Sequence, residues 1–490
     1  MNMRTHHKTY TEEVGFVVAA KEYLVHLEGL PSVRINDVIE NDEGRRALVL
    51  ALNEDVVQAL MLDPGDTYAG DRFYIRERGV SFSMGDHLFG RVISAVGDNL
   101  DEGSGFPPGN TNLRIEHHAP DINTRADITE QLHTGLTLVD TLVPIGKGQR
   151  QLVVGPFGSG KEIFLTDVVL NQRANDIVCI YAFIGKPTIY VEEMMRRLFN
   201  HHTNPHTIGL VALSNDPAPK IFIAPSSALS MAEYFSNQGR DVLVVLDDLG
   251  THAKYLREIE LLAGRIPGRE SYPGDIFYQH AHIMERAGRF NKRLGGGSIT
   301  LLPVLETNIE ESSDLIATNI MAATDGHIFF SSELHGEGYY PAVVSKNSVT
   351  RVGRKTQNRL QNALSSRVQI LLAEYEQQKE FSRFGAELGE EGRKTLRRGD
   401  MLRTILRQDI GTQVGTELQI LLLGLIFSSY LDNKNMSELE HSKEHLVKLF
   451  GTSSQFTALR DSAKRGIVAL PQFLKEIDNM STLIDSVWQR

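Results

Sequence analysis

Cysteine is almost missing from this chain: Cys179 stands alone among 490 residues. One thiol cannot close an internal disulfide, which fits a reducing compartment, and its apolar neighbours in Ile177–Tyr181 point to a buried, inert side chain. Positive charge is also in deficit. Lys plus Arg number 51 against 62 Asp plus Glu, for a formal net charge of −11, which argues against a nucleic-acid binder, whose footprint is a basic surface. Long hydrophobic runs are lacking. The longest clearly apolar stretch, Ile420–Phe427, falls short of the about 20 residues that cross a bilayer, so a membrane role is expected to run through partners. Met1–Glu13 is polar and has no apolar segment of a secretory signal. No internal repeat and no low-complexity segment is found.

What is present suggests about three domains, at roughly 100–200 residues each, with enough length to bury a large core. From Val14 to about Ser83 the chain reads as short strands, Gly15–Ala20, Tyr23–Leu27, Ala47–Leu52 and Asp71–Ile75. Turn signals such as Asn41-Asp42-Glu43-Gly44 and Asp63-Pro64-Gly65-Asp66 separate them, a pattern of a small barrel or sandwich. Gly103–Asn110 reads as a loop. From about Gly146 apolar strand-like runs alternate with helical stretches: Gln151–Val154, Ile177–Ile184, Ile208–Ala212, Val242–Leu246, Ile299–Val304 and His327–Ser331. Runs this apolar are expected to be buried on both faces of a largely parallel α/β sheet. After about Gln357 the strand signals stop, and Glu374–Leu388, Glu390–Gln408 and Gly415–Tyr430 read as helices. The expected fold is multidomain α/β: a β-barrel over 1–83, a P-loop α/β domain over 84–357 and a helical domain over 358–490.

Gly155-Pro156-Phe157-Gly158-Ser159-Gly160-Lys161-Glu162 follows a strand and opens a helix, the context a Walker A phosphate loop requires. Glycines let backbone N–H groups turn inward around phosphate oxygens, the helix N-terminus adds partial positive charge, and Lys161 is placed to reach the outer phosphates. Glu162 stands where a Ser or Thr hydroxyl normally ligates Mg²⁺. Three roles for it stay open: it ligates Mg²⁺, it turns away and favours the helix N-terminus, or it weakens binding so that the site is often empty. Val242–Leu246 followed by Asp247-Asp248 is similar to Walker B, a buried strand ending in a carboxylate for the Mg²⁺ shell. The plainer reading of that pair is a helix N-cap.

Further segments bring a family into view: Gly90-Arg91-Val92, Asp216-Pro217-Ala218-Pro219 and Ala232-Glu233-Tyr234-Phe235. Pro267-Gly268-Arg269-Glu270-Ser271-Tyr272-Pro273-Gly274-Asp275 and Leu294-Gly295-Gly296-Gly297-Ser298 with Glu306-Thr307 follow. Thr324-Asp325-Gly326, Ser348-Val349-Thr350-Arg351-Val352-Gly353 and Phe381–Leu388 complete the set. From about Gly90 to Asp432 the chain resembles the alpha subunit of F-type rotary ATP synthases.

The resemblance implies a β-barrel, a RecA-like nucleotide domain and a C-terminal helical domain. It also implies an alternating heterohexamer with a beta-type catalytic subunit, built around a gamma-type shaft and held by a delta-type peripheral stalk. ATP or ADP and Mg²⁺ are the implied ligands. The membrane sector, which moves H⁺ or Na⁺, is reached only indirectly, so the complex is expected at the cytoplasmic face of the cell membrane. Arg351 matches the arginine that the alpha-type subunit offers to the neighbouring beta-type site, where a guanidinium fits the spread charge of a transferring phosphoryl group. A lone arginine is ordinarily a surface ion-pair partner. Ser348 matches a position linked to activity, and a buried polar contact explains it equally well.

Departures from the family pattern are informative. Beta-type subunits carry a water-orienting Glu after the strand that follows the phosphate loop, and alpha-type subunits a Gln. Here Lys186 stands at that place, and a protonated ammonium cannot act as a base. It is expected to contact phosphate or to lie on the surface. The next carboxylates are Glu192-Glu193, on the following helix. Pro156-Phe157-Gly158 is more similar to the catalytic subunit of archaeal and vacuolar rotary ATPases. Tyr340-Pro341 replaces Arg-Pro beside the adenine, Gln408 keeps one adenine-pocket residue, and Ile410 replaces a second. Met1–Glu13 is shorter than the family's N-terminal arm, which bears on stalk docking.

The 17 histidines include His117-His118, His201-His202 and the His441/His445 pair. None comes with a ligand set such as His-Glu-x-x-His, and a surface reading is preferred. Met194-Met195 and Met321 read as core, and Glu374–Lys379 as a solvated helix face.

The leading expectation is a noncatalytic subunit that completes its partner's site with Arg351. A self-sufficient secretion-type homohexamer needs a water-activating Glu and a Mg²⁺-binding hydroxyl, and Lys186 and Glu162 speak against it. A Rho-type translocase needs exposed aromatics among basic residues in the barrel, a pattern that Tyr68, Phe73 and Tyr74 near Arg72 and Arg76 carry only thinly. A rotary motor repurposed for another mechanical task also fits.

Overall fold

The computed structural model describes residues 13–101, 103, 105–106, 111–112, 115, 118–199, 206–265, 272, 276–307, 314–383, 389–433 and 436–488. These fall into two compact units, the first within Met1–Ala126, Asp176–Glu306 and Glu310–Thr324, the second within Asp127–Asn175, Thr307–Ile309 and Asp325–Arg490. Much of Pro267–Asp275, the end of Phe381–Leu388, parts of Met1–Glu13 and Gly103–Asn110, and His117 and His201-His202 lie outside the described residues.

The first unit opens with a closed barrel whose strands run Val14–Lys21, Leu24–Glu28, Arg46–Leu52, Val57–Met61, Val38–Asn41 and Arg72–Glu77. Going round the barrel, the second strand is followed by Val57–Met61, Arg46–Leu52, Val38–Asn41 and Arg72–Glu77, which closes on the first. Alternate side chains point inward along each strand. Val25, Leu27, Ile39, Val49, Ala59 and Phe73 make the barrel's dry interior. The sequence reading found four of these strands and missed Val38–Asn41 and Val57–Met61.

The rest of that unit is a parallel sheet. Val178–Lys186 lies between Thr207–Leu213 and Asp241–Asp247. Ser298–Leu305 pairs with the far side of Asp241–Asp247. Val92–Ser94 pairs with Thr207–Leu213. Every residue of Ser298–Leu305 is buried, and the helices Thr188–Phe199, Ala218–Ser236 and Leu249–Leu262 follow their strands as crossover connections. Leu24 and Leu60 of the barrel pack with Ala218 and Ile259 of those helices. Two features escaped the sequence reading. Arg286 is fully buried and reaches Glu233 at 2.8 Å. His252 and His280 meet at a tilt inside the same unit, ring centres 5.8 Å apart.

In the second unit, Gln151–Val154 pairs in parallel with Gly326–Phe329, which pairs antiparallel with Val349–Thr350. Lys161–Asn171 follows the first of these strands. Helices Arg359–Arg383, Glu390–Leu406, Thr416–Phe427, Met436–Thr452, Thr457–Arg465, Leu470–Asn479 and Ser481–Trp488 complete the unit. The first begins well before the expected Glu374. Its buried Leu360, Leu364, Val368, Leu371 and Tyr375 recur at helical spacing on one face. Ile420–Ile426 is buried within Thr416–Phe427. Among the described residues, no helix is long and apolar enough to cross a membrane.

Candidate functional site

The phosphate loop turns between the buried strand Gln151–Val154 and the helix Lys161–Asn171. Gly160 sits at φ +78°, and a Cβ there would meet the His335 ring at 2.7 Å, so both the backbone and the available space demand glycine. Ser159 is fully buried, and its Oγ has no hydrogen-bond partner among the described residues. A buried hydroxyl without a partner is costly unless a ligand supplies one. Together with the helix N-terminus at Gly160-Lys161 it suits a phosphate group. Phe157 is 76% exposed at the loop tip.

The ammonium of the loop is engaged within the loop. Lys161 is buried, and its Nζ lies 3.1 Å from the Pro156 carbonyl and 2.6 Å from Glu162 Oε1. Among the roles left open for Glu162, turning fully away is not what the structure shows.

The residues flanking the expected adenine position come together in the same unit. The Gln408 N–H donates to the Tyr340 carbonyl at 2.8 Å. The Gln408 side chain accepts from Thr137 N at 2.6 Å and donates to the carbonyls of Gly135 at 3.0 Å and Thr412 at 2.9 Å. Its amide is therefore a structural tie. Tyr340 donates its hydroxyl to Asp167 Oδ2 at 2.5 Å, and burial together with that carboxylate pushes the phenol well above its usual range. Pro341 is buried beside it, and Ile410 is exposed.

Asp247 and Lys186 lie in the first unit. The parallel register puts Phe183 beside Asp247, and Lys186 ends its strand near it. Lys186 is neither on the surface nor held out toward a phosphate. It is 7% exposed, with Nζ 2.9 Å from Asp247 Oδ1, 3.0 Å from Asp248 Oδ2 and 3.6 Å from Glu306 Oε2. Tyr181 and Tyr190 donate to Asp247 Oδ2 at 3.2 Å and 2.7 Å. Burial by itself pulls the Lys186 ammonium down, but the Asp247 and Asp248 carboxylates hold it above its ordinary value, so it stays charged. Asp248 also caps the helix Leu249–Leu262 by accepting from Thr251 N at 2.6 Å, so the plainer capping role is real for this residue. Glu192 and Glu193 are exposed on Thr188–Phe199. Sequence reasoning missed Tyr181, Tyr190 and Glu306 because nothing local marks them as partners of Lys186.

Arg351 follows the edge strand Val349–Thr350 and is exposed. Its N–H donates to the Asp325 carbonyl at 2.9 Å. Asp325 is clamped in turn by Arg150, whose Nη2 lies 2.7 Å from Oδ1 and Nε 3.0 Å from Oδ2. Two residues on, a Cβ at Gly353 would meet the Pro144 carbonyl oxygen at 1.6 Å, so only glycine permits that close approach. The backbone under Arg351 is thus fixed from two sides. Ser348 Oγ accepts from Phe329 N at 3.0 Å and donates to the Val344 carbonyl at 2.8 Å, which ties this segment to the neighbouring strand. Among the described residues, no group of three or more His, Cys, Asp or Glu side chains is placed to hold a metal.

Known proteins are similar to this chain in sequence. Residues 135–350 match the family model for the nucleotide-binding domain of the ATP synthase alpha/beta family, and residues 357–468 match that for the C-terminal domain of its alpha/beta chains. An ATP synthase subunit alpha 1 from Chlorobium luteolum is 38% identical over 89% of this chain and 85% of its own length. A subunit alpha 2 from Syntrophotalea carbinolica is 38% identical over 88% of this chain and 83% of its own. A subunit alpha 1 from Pseudoalteromonas atlantica is 36% identical over 89% and 83%.

Proposed function

The chain belongs to the ATP synthase alpha/beta family as an alpha-type subunit of an F-type complex, and from that premise we propose that it is noncatalytic at its own site and lends Arg351 to its neighbour's. The observation that carries this is Lys186. Where a catalytic relative needs a carboxylate to orient water, this chain has a buried ammonium locked to Asp247 and Asp248. A cation so held accepts no proton. Arg351 supports the other half of the reading: its backbone is anchored to Asp325 while the residue is exposed, as suits a guanidinium presented to another subunit. Ser348 serves by holding that segment in register.

The partners of this reading are a beta-type catalytic subunit alternating with this chain, a gamma-type shaft and a delta-type stalk. The chain takes ATP or ADP at its phosphate loop, with Tyr340, Pro341 and Gln408 shaping the base end. Mg²⁺ acts at the partner's site, and the assembly couples ATP turnover to H⁺ or Na⁺ movement from the cytoplasmic face of the membrane. The test is hydrolysis by the purified chain alone and with its beta-type partner. Turnover is expected only with the partner. Steady turnover by this chain alone contradicts the reading and favours a self-sufficient hexamer.

A further inference from the structure

The segment that follows the strand Gly326–Phe329 reaches both ends of the phosphate loop, all within the second unit. At the first end, a Cβ on Gly155 would meet Ser159 Oγ at 2.7 Å and Phe330 Cβ at 2.8 Å. At the second end, a Cβ on Gly160 would meet the His335 ring, with Nδ1 at 2.7 Å and Cε1 at 3.0 Å. Phe330 also packs on Phe164 of the helix that the loop opens, ring centres 5.0 Å apart, and its N–H donates to the Val154 carbonyl at 2.7 Å. The loop is thus clasped by one stretch of chain, and His335 is the polar end of that clasp.

Backbone bonds hold His335 in place. It lies on the short helix Ser332–Gly336, which Ser331 caps by accepting from Leu334 N at 3.3 Å. Its N–H donates to the Ser331 carbonyl at 3.1 Å, and its own carbonyl accepts from Gly338 N at 2.9 Å. The side chain is half-buried, and neither ring nitrogen has a hydrogen-bond partner among the described residues. An imidazole carries at least one N–H whether neutral or protonated, so a donor is left over beside the loop.

The neighbouring groups indicate what that donor suits. The loop's own ammonium is partly offset, since Lys161 Nζ lies 2.6 Å from Glu162 Oε1. Ser159 Oγ, next to Gly160 in the chain, is buried without a partner. An anionic oxygen entering the loop would meet that hydroxyl and the N–H groups of the helix start, with the His335 ring at their side. Five residues further on stands Tyr340, the first residue of the base end, so His335 lies between the two ends along the chain.

We propose that His335 is a ligand-contacting residue of this chain's own site, donating a ring N–H to the phosphate chain of a nucleoside di- or triphosphate held in the loop. This role rests on the reading that the loop takes a nucleotide. It places part of the phosphate recognition on the segment that leads to the base end, outside the loop and its lysine.

The test is equilibrium binding of ATP, ADP and inorganic tripolyphosphate to the purified full chain and two variants. His335→Phe keeps a ring over Gly160 and removes the donor; His335→Gln keeps a donor and removes the ring. A hydrogen bond to a charged group is strong enough that His335→Phe is expected to weaken all three ligands by about tenfold or more. His335→Gln is expected to stay within about threefold of the wild type. ATP bound as tightly by His335→Phe as by the wild type overturns the proposal. So does a loss for ATP with tripolyphosphate unaffected, which would put the contact on the nucleoside, or an equal loss in both variants, which would make the ring a packing element only. If the variants do not fold, modification of His335 in the wild-type chain by diethyl pyrocarbonate, read by peptide mass mapping, decides. Saturating tripolyphosphate is expected to slow it severalfold, and an unchanged rate contradicts the contact. A wild-type chain that binds no ATP sinks the nucleotide reading and His335 with it, whereas tight binding that is indifferent to His335→Phe sinks the role of His335 alone.

Discussion

Two cationic residues of this chain are handled in opposite ways. Lys186 is buried among carboxylates and phenols, its charge spent inside its own unit. Arg351 is exposed on a backbone fixed through Asp325 and Arg150. A buried ion pair is a poor source of stability but is costly to break from one side, while an exposed guanidinium on a fixed backbone is one that a neighbouring subunit can reach. The contrast is between a charge consumed inside its own unit and one that stands exposed, the pair on which the proposed division of labour between this chain and its neighbour rests.

The largest way to break the comparison is at Arg351. In the assembled complex Arg351→Ala is expected to lower hydrolysis by about 10³-fold or more, the scale of an arginine that stabilises phosphoryl transfer. Arg351→Lys should restore only a minor part, because an ammonium lacks the planar fork. Steady-state turnover with equal subunit content checks both.

Next comes Lys186. Lys186→Met leaves Asp247 and Asp248 buried beside each other without their cation, and the chain should lose about 3–5 kcal/mol of stability, read by denaturant unfolding. A loss near zero would mean that the ammonium is not buried as described.

The same interior offers a sharper contrast, since it also holds titratable rings in which burial outweighs the nearby Asp248 carboxylate. Burial lowers His252 to about 4 and His280 to about 3, so both are neutral in the folded chain. Unfolded imidazoles bind protons below about 6.5. The contribution of the two rings is therefore intact above that pH and is lost as pH falls from about 6.5 toward 4, a few kcal/mol at most. Thermal unfolding should fall steeply across that window, and His280→Gln should flatten the slope.

The smallest effect is expected at Glu162. Glu162→Thr removes the carboxylate that engages Lys161 and should tighten ATP binding by about tenfold, a change on the order of 1.4 kcal/mol. Calorimetric titration of the two chains side by side reads it.

Much of this was legible in the sequence because it is written locally. The phosphate loop announces itself by glycine spacing between an apolar strand and a helix, and the parallel strands by continuous apolar runs. Val38–Asn41 escaped notice because Glu40 and Asn41 break its apolar pattern, and Val57–Met61 because it is short; barrel closure stabilises both. The start of Arg359–Arg383 is masked by its polar face, with only one residue in three or four facing the core. Lys186 was visible as an oddity, but its surroundings were not. Asp247, Asp248 and Glu306 approach it only through parallel strand pairing, and Tyr190 only through the turn into the next helix. A lysine read alone defaults to the surface; pairing across strands is what made burial affordable here. Arg286 and Glu233 escaped for the same reason.

The central claim is that this chain assists hydrolysis without performing it. The most direct measurement is ATP turnover by a complex in which this chain is unaltered and the beta-type partner's phosphate-loop lysine is replaced by alanine. The account predicts that turnover disappears although every phosphate loop of this chain is intact. Turnover persisting at a substantial fraction of the unmodified rate would contradict it.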